Sequence, residues 1–190
     1  WRAGGIAVPL NIAAAMPEIE HALSCAKVTR LVVGISSPAE SLTPLFSLCR
    51  GLNIEVLNFS DVLSDKIMVM PELDIERRAM MLFTSGTTNK PKGVVTTHKN
   101  IRAQITTLLE AWNWQVEDSI PLFLPLHHIH GIINVLCCAL WIGARVTLFA
   151  RFDMGTILAR VEDRDYSVFM AVPTIYVKII GELEKLPEPR

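Results

Sequence analysis

An α/β fold, with mostly parallel sheets and flanking helices, is what this 190-residue sequence predicts, and three features carry that expectation. In the first third, short β-branched runs alternate with stretches whose apolar residues recur at helical spacing. Proline, glycine, asparagine and serine punctuate the joints between them. Hydrophobic residues make up 51% and charged residues 19%, so the chain can build a core and has apolar surface to spare.

Taken in order, residues 7–10 read as a short strand that ends at Pro9 and Asn11. Pro17 then opens a helix through Ile19, Ala22, Leu23 and Ala26. Residues 31–35 form a β-branched strand, a second helix runs to Arg50, Gly51 marks its end, and 54–57 is the next strand. Strand, helix and strand in this order predict a right-handed βαβ crossover. Residues 1–60 are therefore one βαβ-type segment, and 61–78, with mixed charge and no firm period, are a connection. The segment 79–190 opens with a buried strand at 79–83, a loop, and a second strand at 93–96. A helix follows, capped by Thr97, with Ile101, Ile105, Leu108 and Trp112 as its apolar stripe. Strands at 120–126, 145–149 and 167–172 follow, with helices at 131–141 and 154–161 and a last helix starting at Pro173. Pro121 and Pro125 restrict the strand at 120–126 to a sheet edge or to its own ends.

Charge and cysteine usage narrow the function classes. Eighteen basic against nineteen acidic residues give a net charge of −1 and a pI of about 6.6, which is not a nucleic-acid footprint. The longest apolar run, 131–143, is shorter than the roughly 20 residues a bilayer span needs, so no membrane span is expected. Cys25, Cys49, Cys137 and Cys138 show no CxxC spacing, and the vicinal pair is expected to pack as small hydrophobes. A reducing, cytoplasmic setting is expected, with an organelle-targeting peptide ahead of Trp1 left open.

The chemistry-bearing stretch is LFTSGTTNKPKGV, residues 82–94. Gly86 leaves room for a phosphate beside the backbone, Ser85, Thr87 and Thr88 offer hydroxyls, and Lys90 and Lys92 supply positive charge. A solvated turn would account for any three or four of these residues, but not for thirteen in this order. Walker A is excluded because the fifth position after Gly86 is Pro91, and no GxGxxG occurs anywhere in the chain.

A second stretch, LPLHHIHG at 124–131, holds three histidines. In an extended segment only His128 and His130 share a face, and two ligands do not make a zinc site. A third, VFMAVPTIY at 168–176, would by itself be only a buried strand leading into a helix.

Residues 84–93 closely resemble the phosphate-loop signature [YF]TSGTTGxPKG of the adenylate-forming superfamily, which includes acyl-CoA synthetases, luciferases and peptide-synthetase adenylation domains. One position departs, Asn89 in place of glycine, and asparagine tolerates left-handed backbone. The LPLxHxxG and VPT segments, RAGGIAVPLN at 2–11 and FARFD at 149–153 resemble the same superfamily in the same order, and the HxHG form looks like malonyl-CoA synthetases.

The resemblance implies that the chain is part of the large N-terminal domain of an adenylate-forming enzyme. The activity implied is that of an acid–thiol ligase using ATP, Mg²⁺ and coenzyme A on a small carboxylic acid, malonate or another short acid. It also implies that Thr84, Ser85, Gly86, Thr87, Thr88, Asn89, Lys92 and Gly93 hold ATP phosphates, that Thr84 lies near the metal, and that His128, His130 and Gly131 line the acyl pocket. The family's YGxTE and YxTGD motifs and its C-terminal lysine are not found. A fragment, inactive alone and apposed to the rest of a synthetase or to a second copy, is therefore expected. A peptide-synthetase adenylation fragment and a non-catalytic nucleotide- or partner-binding module are the alternatives.

Overall fold

The computed structural model describes residues 1, 3–34, 39–62, 69–84 and 90–185, which fall into two compact units, Trp1–Lys99 and Asn100–Arg190. The first unit contains α1 (Met16–Cys25), β1 (Arg30–Val33), α2 (Ala39–Gly51), β2 (Glu55–Asn58), the single turn α3 (Phe59–Val62), β3 (Arg78–Thr84) and β4 (Lys92–Thr97). Helix α4 (His98–Ala111) starts at its end.

The expected βαβ crossover is present: β1 and β2 pair in parallel, Leu31 opposite Val56, with α2 between them in sequence. Leu23 of α1, Cys49 of α2 and Ile54 are its buried centre, ringed by Leu10, Ile19, Val28, Leu31, Leu45, Leu48, Leu52 and Val56. The i, i+4 spacing of Ile19 and Leu23 brings both onto one face of α1.

Gly51 does not provide the left-handed end of α2. The helix runs through it, and the left-handed residue is Asn53 (φ 55°), after which the Ile54 amide donates to the Cys49 carbonyl at 2.8 Å. Lys27, Asn113 and Arg164 follow α1, α4 and α6 in the same way, with φ of 51°, 50° and 56°. The six-to-one bond of a Schellman ending, not glycine content, terminates these helices.

The strand expected at 7–10 is a single parallel bridge, with the Ala7 amide donating to Ala79 O and the Met81 amide to Ala7 O, both at 2.9 Å. The next ladder donor on this side would be residue 9, and Pro9 has no N–H.

In the second unit, β5 (Ser119–Leu122) pairs in parallel with β6 (Arg145–Leu148). Between them lie a π-helical segment, His130–Cys137, and α5 (Cys138–Ile142). Helices α6 (Met154–Glu162) and α7 (Pro173–Leu183) follow. The chain is thus α/β, and among the described residues the named strands form two parallel pairs and one antiparallel hairpin, β3–β4.

Residues 167–172 were expected as a strand and are not one. The Ser167 and Val168 amides both donate to the Ser119 carbonyl, at 3.0 and 3.1 Å, and the pairing stops there. On that edge of β5 the next donor is position 121, and Pro121 cannot supply it. The segment is held instead by rings: Phe169 packs against Phe123 (centroids 5.7 Å apart) and Tyr176 (5.9 Å), and the Tyr176 hydroxyl donates to the Phe169 carbonyl at 3.1 Å.

The stripe of α4 is shorter than expected. Ile101 and Ile105 are buried, whereas Trp112 lies beyond the helix end and is 47% exposed; Trp114, past the left-handed Asn113, is the buried one at 5%. The helix expected at 131–141 is helical throughout but divided, with π geometry from His130 to Cys137. Cys138 is buried and Cys137 half-buried, both as free thiols, and burial pushes the Cys138 thiol up to about 11. They pack as small hydrophobes, as expected. Among the described residues, no helix is long and apolar enough to cross a membrane.

Candidate functional site

In the first unit, β3 and β4 form an antiparallel hairpin whose last pair is Thr84 opposite Lys92. Both residues are exposed. Opposed residues on such a ribbon share a face, with Cβ atoms about 4.5–5.5 Å apart. The hairpin end therefore presents a hydroxyl beside an ammonium. Among the described residues neither the Thr84 hydroxyl nor the Lys92 and Lys90 ammoniums have a hydrogen-bond or ion-pair partner. Ser85, Gly86, Thr87, Thr88 and Asn89 lie outside the described residues.

Gly93 stands opposite Phe83, one step back from that end. A Cβ there would lie 2.8 Å from Met81 Sδ and 3.3 Å from the Phe83 ring, so the missing side chain is what lets Phe83 and Met81 close over the strand. Phe83 in turn meets the ring of His21, from α1, edge-on at 6.2 Å. His21 Nε2 also lies 2.9 Å from the Pro91 carbonyl, an acceptor that requires this nitrogen to carry the proton. No spacing rule pointed to His21, because 70 residues separate it from Pro91.

In the second unit, LPLHHIHG is not extended. Residues 126–128 form a turn, the His128 amide donates to Pro125 O at 3.2 Å, and His130 and Gly131 already belong to the π segment. His128 and His130 therefore do not share a strand face. The histidines brought together are His127 and His128, with ring centroids 4.2 Å apart. His128 is exposed, and His127 and His130 are half-buried. Among the described residues, no three His, Cys, Asp or Glu side chains are grouped to hold a metal ion.

Gly131 is fixed by contact. A Cβ on it would stand 2.5 Å from the Pro125 carbonyl oxygen and 3.0 Å from that of Leu124, both backbone atoms that cannot swing aside. The glycine thus lets the π segment fold back onto the LP dipeptide that opens the motif. Phe123, just before the motif, packs against Phe152 at 5.1 Å and Phe169 at 5.7 Å. Two stretches picked out by sequence, FARFD and VFMAVPTIY, therefore converge around one buried ring that directly precedes the third, LPLHHIHG. Asp153 of FARFD caps α6, accepting the Thr156 amide at 2.9 Å, and hydrogen bonding from the Thr156 side chain, then from this amide, holds its carboxyl below the ordinary range.

His127 has a pH consequence. Burial, and secondarily the neighbouring His128, hold it below the ordinary histidine value of 6.5. Between that lowered value and 6.5 the unfolded chain binds more protons than the folded one, so stability rises with pH through this window and is lost as pH falls. Thermal unfolding followed from pH 7.5 to 5 should show this loss, and His127→Gln should flatten it.

The chain matches the family described as AMP-binding enzyme over residues 1–190. It is 39% identical to a malonate–CoA ligase, mitochondrial, of Xenopus laevis over 97% of its own length and 33% of that protein. It is 35% identical to the human protein of the same name over 95% and 32%. The chain thus spans about a third of the length of these curated relatives. Among solved structures, a malonyl-CoA ligase product complex with methylmalonyl-CoA and AMP superposes with a TM-score of 0.80 at 28% identity, covering 98% of this chain and 38% of the other. Apo MatB from Rhodopseudomonas palustris superposes at 0.83 and 22% identity, over 95% and 36%. The family match over residues 1–190 places the chain among the AMP-binding enzymes.

Proposed function

We propose that the chain is the phosphate-gripping and acyl-pocket part of an ATP-dependent acid–thiol ligase whose acid is malonate or another short acid. The reaction has two steps. A carboxylate oxygen attacks the α-phosphorus of ATP, the bond to the β-phosphate oxygen breaks, and pyrophosphate leaves with its electron pair. The thiol sulfur of coenzyme A then attacks the acyl carbon and AMP departs. The observation that carries this reading is the Thr84–Lys92 pair, the last described pair of the β3–β4 hairpin, in a chain of this family.

Anionic phosphates need donors and positive charge fixed in place before they arrive. Lys92 supplies the charge and Thr84 an oxygen, with Ser85, Gly86, Thr87, Thr88, Asn89 and Gly93 assigned to the same grip from their motif. Magnesium keeps several waters and substrate phosphates around one or two protein groups, so the unpartnered Thr84 hydroxyl suits it. Bound there, the ion would neutralise phosphate charge.

In the second unit we assign His128, His130 and Gly131 to the acyl pocket, with His130 donating to the distal carboxylate of a dicarboxylic acid. In this reading 1–60 is a supporting βαβ segment, 61–78 a connection, and 79–190 carries both the phosphate and acyl functions. Helix α7 buries no residue, and Val177 and Ile180 are 69% and 53% exposed. We assign that face to the remainder of the synthetase. The relatives named mitochondrial favour an organellar location over the cytoplasm.

The test is AMP release by the full-length gene product with malonate, acetate and a long-chain acid. Malonate should be preferred, and His130→Phe should reduce that preference about 10- to 100-fold, as expected for loss of a hydrogen bond to a charged group. Intact malonate preference in the variant would remove His130 from the pocket.

A further inference from the structure

We infer that His21 is a positioning residue for the Thr84–Lys92 end of the β3–β4 hairpin, holding both strands at once through its ring against Phe83 and its Nε2–H on the Pro91 carbonyl. The inference rests on the reading that this hairpin end receives the phosphates of ATP. It adds a residue that lies outside every motif of that reading.

Two strands alone make a ribbon of marginal stability. Thr84 and Lys92 are the last described pair of β3 and β4, and position 91 can add no amide to the ladder because it is proline. The Pro91 carbonyl is left for another donor, and His21 reaches it at 2.9 Å. The same imidazole lies edge-on to Phe83, the neighbour of Thr84 on the other strand, with an interplanar angle of 74°.

One side chain therefore touches the residue before Thr84 and the residue before Lys92. It comes from α1, whose Leu23 is buried in the βαβ core, so the brace is anchored in a packed part of the first unit. Gly93 leaves the space in which Phe83 can lie toward it. A histidine satisfied for packing alone would need only one of these contacts. Spanning both limbs is what fixes the spacing of hydroxyl and ammonium, and pre-set spacing is how a site avoids an ordering cost on binding.

The experiment measures the dissociation constant for magnesium-ATP by calorimetry, and the thermal midpoint without nucleotide, in the full-length gene product. His21→Phe keeps a ring against Phe83 and removes the donor. Its dissociation constant should rise about 3- to 10-fold, the range expected for one hydrogen bond, with little change in midpoint. His21→Gln returns a donor at similar reach without the ring and should recover most, but not all, of the lost binding. Phe83→Leu, which keeps the donor and removes the ring face, should weaken binding less than His21→Phe and guards against misfolding of the latter. A lowered midpoint with an unchanged dissociation constant, or no rescue by glutamine, would reduce His21 to a packing residue. Lys92→Ala separates the two claims. If it loses affinity while His21→Phe does not, the brace is wrong; if Lys92→Ala also binds normally, the phosphate reading itself is wrong.

Discussion

Lys92→Ala in the full-length gene product should slow acyl-adenylate formation by on the order of 10²- to 10³-fold, the usual cost of removing one fixed donor from developing charge. The reasoning is local. Lys92 opens β4, its ammonium is exposed, and among the described residues no carboxylate pairs with it. A lysine held on a strand end and left unpaired has its charge available to a ligand. The loss should fall on the first step, where pyrophosphate departs, and much less on thioester formation from preformed acyl-adenylate. Lys92→Arg should recover part of the rate, since charge returns without the point geometry of an ammonium. Single-turnover measurements of the two steps would reveal the split, and equal losses in both would contradict the assignment.

Gly131→Ala should destabilise the protein by about 1–3 kcal/mol, the usual range for forcing an extra carbon into a packed interior. The obstacles are the Pro125 and Leu124 carbonyl oxygens, so relief requires moving the backbone that sets the histidine turn. Chemical denaturation should show a lower midpoint with an unchanged slope. Gly93→Ala is the informative contrast: its nearest obstacle is the flexible Met81 side chain, so it should cost less. Equal costs would mean that the tight approach of Gly131 to the LP dipeptide is not what the motif glycine serves.

Much of the fold could be read from periodicity and punctuation. The βαβ order, the helix opened at Pro17 and the one at Pro173 all follow from local rules and are present as α1, β1–α2–β2 and α7. What local rules missed depends on neighbours. Residues 7–10 and 167–172 have strand composition, yet their ladders stop, the first at its own Pro9 and the second opposite Pro121 of β5. Recognising the effect of Pro121 requires knowing the partner strand. Likewise Gly51 looked like a helix end, while Asn53 supplies the left-handed residue because the six-to-one bond from Ile54 to Cys49 sets the register.

The candidate site was legible as composition rather than geometry. Thr84 and Lys92 were identifiable from the motif, but their pairing across a hairpin was not. The histidine turn was misread as extended because an HHIH run carries no turn residue, and Gly131 folds it back only through contact with carbonyls several positions earlier. His21 lay beyond sequence reasoning altogether, being joined to the loop stems only by the tertiary fold.

The claim that the β3–β4 hairpin end grips ATP is tested most directly by amine-reactive footprinting of the lysines with and without magnesium-ATP, read by mass spectrometry. Lys92 should be protected by the nucleotide, while Lys99, Lys178 and Lys185 react at unchanged rates. Modification of Lys92 at the same rate in both conditions would contradict the account.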